Sequence, residues 1–164
     1  MIIRNIKLED AENFLRMLLE LDKETEYMMF EPSERINDVN IQRSRIKEML
    51  TDRNLLLIAE ENNEIVGFIS VERGIPRRIK HVGYIVVGIR KDFRKQGIGT
   101  RFFEELEIWA RQNNITRLEL TVMCNNVVAK KLYEKMGFQI EGVKKNSMLV
   151  NGKYVDEFYM AKLI

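Results

Sequence analysis

The chain has 164 residues, a length that suits one domain with a single core, and no repeat, low-complexity tract or Ser/Pro/Gly-rich linker divides residues 1–164. Its 27 Lys and Arg against 25 Asp and Glu leave a net charge of +2, which speaks against broad nucleic-acid binding, and no apolar run approaches the roughly 20 residues of a membrane span. One cysteine, Cys124, and one histidine, His81, exclude an intrachain disulfide and a Cys/His zinc site; with Met1-Ile2-Ile3-Arg4 unlike a signal peptide, the expectation is a soluble, cytoplasmic protein without metal, nucleic acid or membrane partners.

Residues 2–6 read as a short strand, and Asp10 to about Leu21 as a helix with Ala11, Phe14, Leu15, Leu18 and Leu19 inward. The segment Tyr27-Met28-Met29-Phe30-Glu31-Pro32 is apolar and aromatic without periodicity; it is either a ligand-site wall, with Tyr27 and Glu31 as substrate contacts, or a loop packed on the core. A second helix, 38–51, carries Val39, Ile46, Met49 and Leu50. Strands at 55–59 and 65–71 form a hairpin through Asn62-Asn63, and a third strand runs from about His81 to Ile89. Charge is uneven: from Arg73 to Arg101 lie Arg77, Arg78, Lys80, Arg90, Lys91, Arg94 and Lys95 against Asp92 alone, while the first third of the chain is acidic.

Arg94-Lys95-Gln96-Gly97-Ile98-Gly99-Thr100 joins that strand to an amphipathic helix bearing Phe102, Phe103, Leu106, Trp109 and Ala110. At a helix start several N–H groups lack an intrahelical acceptor and the dipole adds about half a positive charge. Gly97 and Gly99 permit close approach of an anion to the backbone. The residues after Gly97 do not supply Gly-x-x-x-x-Gly-Lys-Ser/Thr, and Phe102 stands where a dinucleotide fingerprint needs a third glycine, so both nucleotide readings fall.

After a strand at 118–122 comes a helix from Asn126 to Met136, with Asn126, Ala129 and Tyr133 on one face and Val128, Leu132 and Met136 as the adjoining core stripe. Gly137 ends it as a left-handed cap, and two strands, about 138–149 and 154–162, close the chain around Asn151-Gly152. Early helices and a meander, then strand, helix, strand, helix and a hairpin, imply a mixed α/β (α+β) fold and not a doubly wound one.

Arg-x-x-Gly-x-Gly followed by Asn-x-x-Ala-x-x-Leu-Tyr-x-x-x-Gly-Phe resembles the acetyl-coenzyme A pattern of the GNAT superfamily of N-acetyltransferases over about half the chain. The closing segment, Glu141-Gly142 with Asn151 to Glu157, is similar to bacterial amino-acid and ribosomal-protein acetyltransferases. The resemblance implies a mostly antiparallel sheet of about seven strands flanked by about four helices, with strands 4 and 5 splayed. It implies acetyl-CoA as cosubstrate, its pantetheine along Val87, Gly88 and Ile89, with Gly88 permitting a bulge. Its phosphates would lie over Arg94, Lys95, Gln96, Gly97, Ile98, Gly99 and Thr100, with Asn126, Ala129 and Tyr133 beside its inner end. Tyr133 is the implied general acid.

The glutamate that family members use as base is replaced by Thr121 in one branch and Gly83 in another. His81 is the substitute favoured by pKa, with Glu72, Asp156, Glu157 or a water relay as alternatives. The acceptor expected is a small primary amine: an amino acid, with Arg77 or Arg78 for its carboxylate, or a polyamine or aminoglycoside. The alternatives are a protein N-terminal (peptide amine) acetyltransferase and a non-catalytic acyl-CoA sensor. Many family members dimerise through their C-terminal strands, which makes a homodimer compatible with the resemblance.

Overall fold

The computed structural model describes residues 1–51 and 53–164. In chain order it forms β1 (Ile2–Asn5), α1 (Ala11–Glu24), α2 (Val39–Met49), β2 (Leu55–Glu61), β3 (Glu64–Arg73) and β4 (Val82–Ile89). There follow α3 (Ile98–Gln112), β5 (Arg117–Met123), α4 (Val127–Lys135), β6 (Gln139–Val150) and β7 (Lys153–Leu163). The seven strands make one sheet in the order β1-β2-β3-β4-β5-β7-β6, antiparallel throughout except for β4 beside β5.

Local sequence sets the turns. Asn62 and Asn63 both take positive φ (50° and 63°), and so do Asn151 and Gly152 (50° and 74°), the geometry that a two-residue hairpin needs to match the twist of its strands. Gly137, at φ 90°, closes α4: its N–H bonds Glu134 C=O and the Phe138 N–H bonds Tyr133 C=O, both 3.0 Å, satisfying carbonyls that the helix end leaves open.

Burial follows the strand alternation. In β2, Leu55, Leu57 and Ala59 join the core under α3 and α4, while Leu56 and Ile58 join a second core under α1 and α2. Two covered faces explain its unbroken apolar run. In β5, Leu118, Leu120 and Val122 are buried, but Glu119 and Thr121 point to the opposite face, where neither α1 nor α2 covers the sheet. Three inward assignments need correction. Leu19 is half-buried, with Met17 and Leu21 taking the core positions, and Leu50 is 45% exposed because α2 stops at Met49. Val128 is 69% exposed; the inward stripe of α4 is Ala129, Leu132, Tyr133 and Met136.

The fork that positions the site lies between β4 and β5. Their parallel pairing covers Val82↔Arg117, Gly83↔Leu118 and Tyr84↔Glu119 and goes no further, so the carboxyl-terminal halves splay. On its other edge β4 pairs with β3 in unbroken register from Gly83 to Ile89, so Gly88 makes no bulge there. Gly88 is small for another reason: an added Cβ would lie 2.5 Å from a Leu21 methyl and 2.9 Å from the Phe68 ring. At the fork's rim the Glu24 carboxylate, ending α1, accepts from Arg90 Nε and the Lys91 N–H, each at 2.7 Å. Among the described residues no helix is long and apolar enough to cross a membrane.

Candidate active site

Beyond β4 the chain makes one turn of 3-10 helix, Lys91–Phe93, and enters α3 through Lys95 (φ 62°) and Gly97 (φ 81°). Nothing lies within 4 Å of where a Gly97 Cβ would stand, so its conformation and not its packing demands glycine. A Gly99 Cβ would meet Leu132 at 2.7 Å, so this glycine lets α3 and α4 approach. The N–H groups of Gly97, Ile98, Gly99 and Thr100 find no acceptor among the described residues. Arg94 Nε donates to Ile89 C=O at 2.9 Å, tying the turn to the strand and leaving its terminal nitrogens outward. Gln96 Nε2 binds Asp92 C=O at 3.1 Å. A row of N–H donors without acceptors among the described residues, flanked by Arg94 and Lys95, fits the phosphates of coenzyme A.

The backbone direction of β4 supplies the second element. Arg90 N–H bonds Val66 C=O and Val82 C=O accepts from Gly74 N–H, so even-numbered residues turn their peptide groups to β3. Alternation then turns the groups of Ile85, Val87 and Ile89 into the fork, where β5 has moved away. Val87 offers its N–H and C=O and Ile89 its N–H to the fork, the Ile89 carbonyl being held by Arg94, whereas Gly88 faces β3.

Across the fork, Asn126 caps α4, its Oδ1 accepting from Ala129 N–H at 3.2 Å, which leaves both amide N–H donors for a ligand. Tyr133 is 7% exposed and packs edge-on against Phe103 with ring centroids 5.6 Å apart. Burial, with Tyr84 nearby as a smaller cause, pushes its phenol well above the ordinary value.

On the opposite face the register lines up Glu72, Tyr84 and Glu119 in one row and Ser70 with Val86 in the next. The Tyr84 hydroxyl lies 3.1 Å from Thr121 Oγ1, bridging the fork where it begins to open. Two cavities flank this row. One, of about 320 Å³, is bordered by Tyr84, Glu119, Glu141 and Tyr159, and there Arg117 binds Glu119 at 2.8 Å and Glu141 at 3.0 Å. The other, of about 220 Å³, lies between α1, α2 and the sheet, with Met28, Met29 and Phe30 in its wall and Glu72 and Val86 at its floor.

The structure separates several expected residues from this arrangement. His81 is exposed at the closed end of the fork, its carbonyl accepting from Thr116 and Arg117 N–H, three residues and roughly 10 Å of strand from Tyr84. Glu72 is the alternative base that the fold brings to the cavity. Asp156 is bound at 2.9 Å by Lys145, and Glu157 by the Ser147 hydroxyl. Tyr27 and Glu31 do not line the cavity; the residues between them do. The basic segment is also divided: Arg73, Arg77, Arg78 and Lys80 lie before β4 and Arg90 to Arg101 after it, with Arg90 paired to Glu24 and Glu64. Sequence reasoning missed Gln42 and Arg45, polar residues of α2 that border the same cavity.

The sequence profile described as "Acetyltransferase (GNAT) family" matches residues 15–138. L-amino acid N-acetyltransferase AaaT of Escherichia coli (strain K12) is 32% identical over 123 residues, covering 71% of this chain and 74% of that protein. The crystal structure of an acetyltransferase of the GNAT family from Streptococcus pneumoniae superposes with a TM-score of 0.94 at 28% identity, over 99% of both chains. A phosphinothricin acetyltransferase from Sinorhizobium meliloti, solved in complex with acetyl-CoA, shares the fold at a TM-score of 0.87 and 14% identity, over 99% of this chain and 88% of that one.

Proposed function

The chain belongs to the acetyltransferase (GNAT) family and is an N-acetyltransferase that uses acetyl-CoA; from that premise we propose that its acceptor is the primary amine of a small molecule, acetylated directly, with Tyr133 as donor to the departing sulfur. The observation that carries this reading is the cavity of about 220 Å³ whose floor includes Val86, the neighbour of a residue that turns its N–H into the fork. Its size falls below the roughly 300–1,000 Å³ of drug-sized ligand sites, which suits one small amine.

Acetyl-CoA supplies a thioester carbonyl for the amine to attack. Arg94, Lys95 and the N–H groups from Gly97 to Thr100 would hold its phosphates, and the strand edge at Val87 and Ile89 its pantetheine. Glu72 takes a proton from the ammonium form of the acceptor, directly or through one water, and so frees the nucleophile. The Val87 N–H donates to the carbonyl oxygen as charge develops there. A C–N bond forms, the C–S bond breaks, and the proton lost by nitrogen balances the one gained by sulfur. Tyr133 donates a hydrogen bond to that sulfur; its raised pKa, far above the 8.5 or so of a free thiol, keeps it from being left ionised.

Tyr133→Phe should lower kcat about 100-fold while leaving coenzyme A affinity unchanged, read from thiol release and calorimetry. Full turnover in the variant would remove Tyr133 from the chemistry. Coenzyme A binding by the wild-type protein without turnover on any amine would favour a sensor instead.

A further inference from the structure

The cavity beneath α1 and α2 carries a specific balance of charge. Of the cations in its wall, Arg35 is occupied: it holds the buried Asp22 carboxylate at 2.6 and 2.9 Å and stacks over the Phe30 ring at 4.6 Å. Arg45 is exposed at the mouth with no ion pair among the described residues, and Glu72 at the floor is likewise unpaired. Gln42 is 5% exposed and Ser70 9%, yet neither side chain has a hydrogen-bond partner among the described residues. Their polar atoms are not sealed away, since the sealed orphan among the described residues is Thr51 Oγ1; they open into the cavity. The remaining wall is apolar, with Phe14, Leu18, Met28, Phe30 and Phe68.

Resting on the acetyltransferase reading above, we infer that the acceptor is a free α-amino acid with a large apolar side chain, its carboxylate held by Arg45 and Gln42, and its amino group beside Glu72 and Ser70. One free cation and one free anion complement a zwitterion. A polyamine or aminoglycoside would leave Arg45 facing more positive charge and would place polar groups against Phe and Met side chains. A peptide amino terminus lacks the carboxylate at that position. In the neighbouring cavity Arg117 is held by both Glu119 and Glu141, so it offers no free cation to an acceptor carboxylate. The cation that sequence reasoning assigned to the carboxylate, Arg77 or Arg78, belongs to the loop before β4 and does not line this cavity. Flexible Met28 and Met29 allow several apolar side chains to be accepted.

The test follows thiol release from acetyl-CoA with L-phenylalanine, L-leucine and L-methionine, their carboxamides, spermidine and a short peptide, using wild-type protein and Arg45→Gln. The expected result is a preference of about ten- to a hundredfold in kcat/KM for each acid over its amide, the value of a charge-assisted contact. In Arg45→Gln that preference should collapse towards unity, mainly through a higher KM for the acids. Because Arg45 is exposed, the variant should fold, and its circular dichroism and melting point check this. Equal use of acids and amides, or preference for spermidine or the peptide, would overturn the inference while the acetyltransferase reading stands. Absence of thiol release with every amine would overturn both.

Discussion

Tyr133 joins a packing role that the structure shows to the donor role proposed for it. Its ring fills the core beside Phe103 and Phe138, while its hydroxyl makes no hydrogen bond to protein among the described residues. Burial disfavours the phenolate, so its pKa rises and Tyr133 stays a donor throughout the pH range in which amines lose their protons. The pH profile of kcat/KM should therefore climb as the acceptor amine deprotonates and stay level up to about pH 10, with no descending limb from Tyr133. A fall centred near pH 8 to 9 would assign the limb to another group. Cys124 is no substitute nucleophile: burial, then Asp156, pushes its thiol up, away from thiolate. Tyr133 was legible in the sequence through the resemblance of Asn-x-x-Ala-x-x-Leu-Tyr-x-x-x-Gly-Phe, following Arg-x-x-Gly-x-Gly, to the GNAT pattern; helical spacing alone placed it only on one face with Asn126 and Ala129. Gln42 and Arg45 were not, because polar residues on a helix usually face water, and only the packing of α2 over the sheet turns these to a cavity.

At the scale of elements, the turn into α3 and the loop after α1 do the positioning. Gly97 has free space around it but a backbone conformation that a side chain resists. Gly97→Ala should lower stability by about 1–2 kcal/mol and weaken coenzyme A binding, measured by urea unfolding and calorimetry. The loop carrying Met28 to Phe30 is fastened differently, by Arg35 across a buried pair in which Asp22 is 2% and Arg35 8% exposed at the side chain. Arg35→Met would strand the Asp22 charge in the core, a loss of about 3–5 kcal/mol, and should raise KM for the acceptor as Phe30 loses its partner. Replacing Asp22 with Leu in the same variant should recover much of the stability, which melting curves would show. Strand and hairpin positions were readable from alternation and Asn-Asn or Asn-Gly turns, since these are local. The ion pair was not, because it joins residues across a loop without periodicity.

For the molecule as a whole, the sequence order of elements revealed a mixed sheet, seven strands and four helices, but not that β7 lies between β5 and β6. A hairpin fixes that its strands are neighbours, not which of them faces inward. The splay likewise has no local signature; it depends on β4 and β5 pairing over only three positions. At the outer end of β4 the Glu24 carboxylate, gripped by Arg90 and Lys91, ties α1 to the strand. From Glu24 the chain runs back through α1 to the cavity wall at Leu18 and Phe14, and from Lys91 it runs forward to the turn at Arg94. With the acceptor in the proposed cavity and coenzyme A on the proposed turn, the two ligands would sit at opposite ends of one ionic clasp, and their bindings form a thermodynamic cycle: the factor by which the first tightens the second must equal the factor by which the second tightens the first. Glu24→Gln should draw both factors towards one, measurable by titrating each ligand with and without the other, so that the clasp makes readiness for the amine a property conferred by the bound coenzyme.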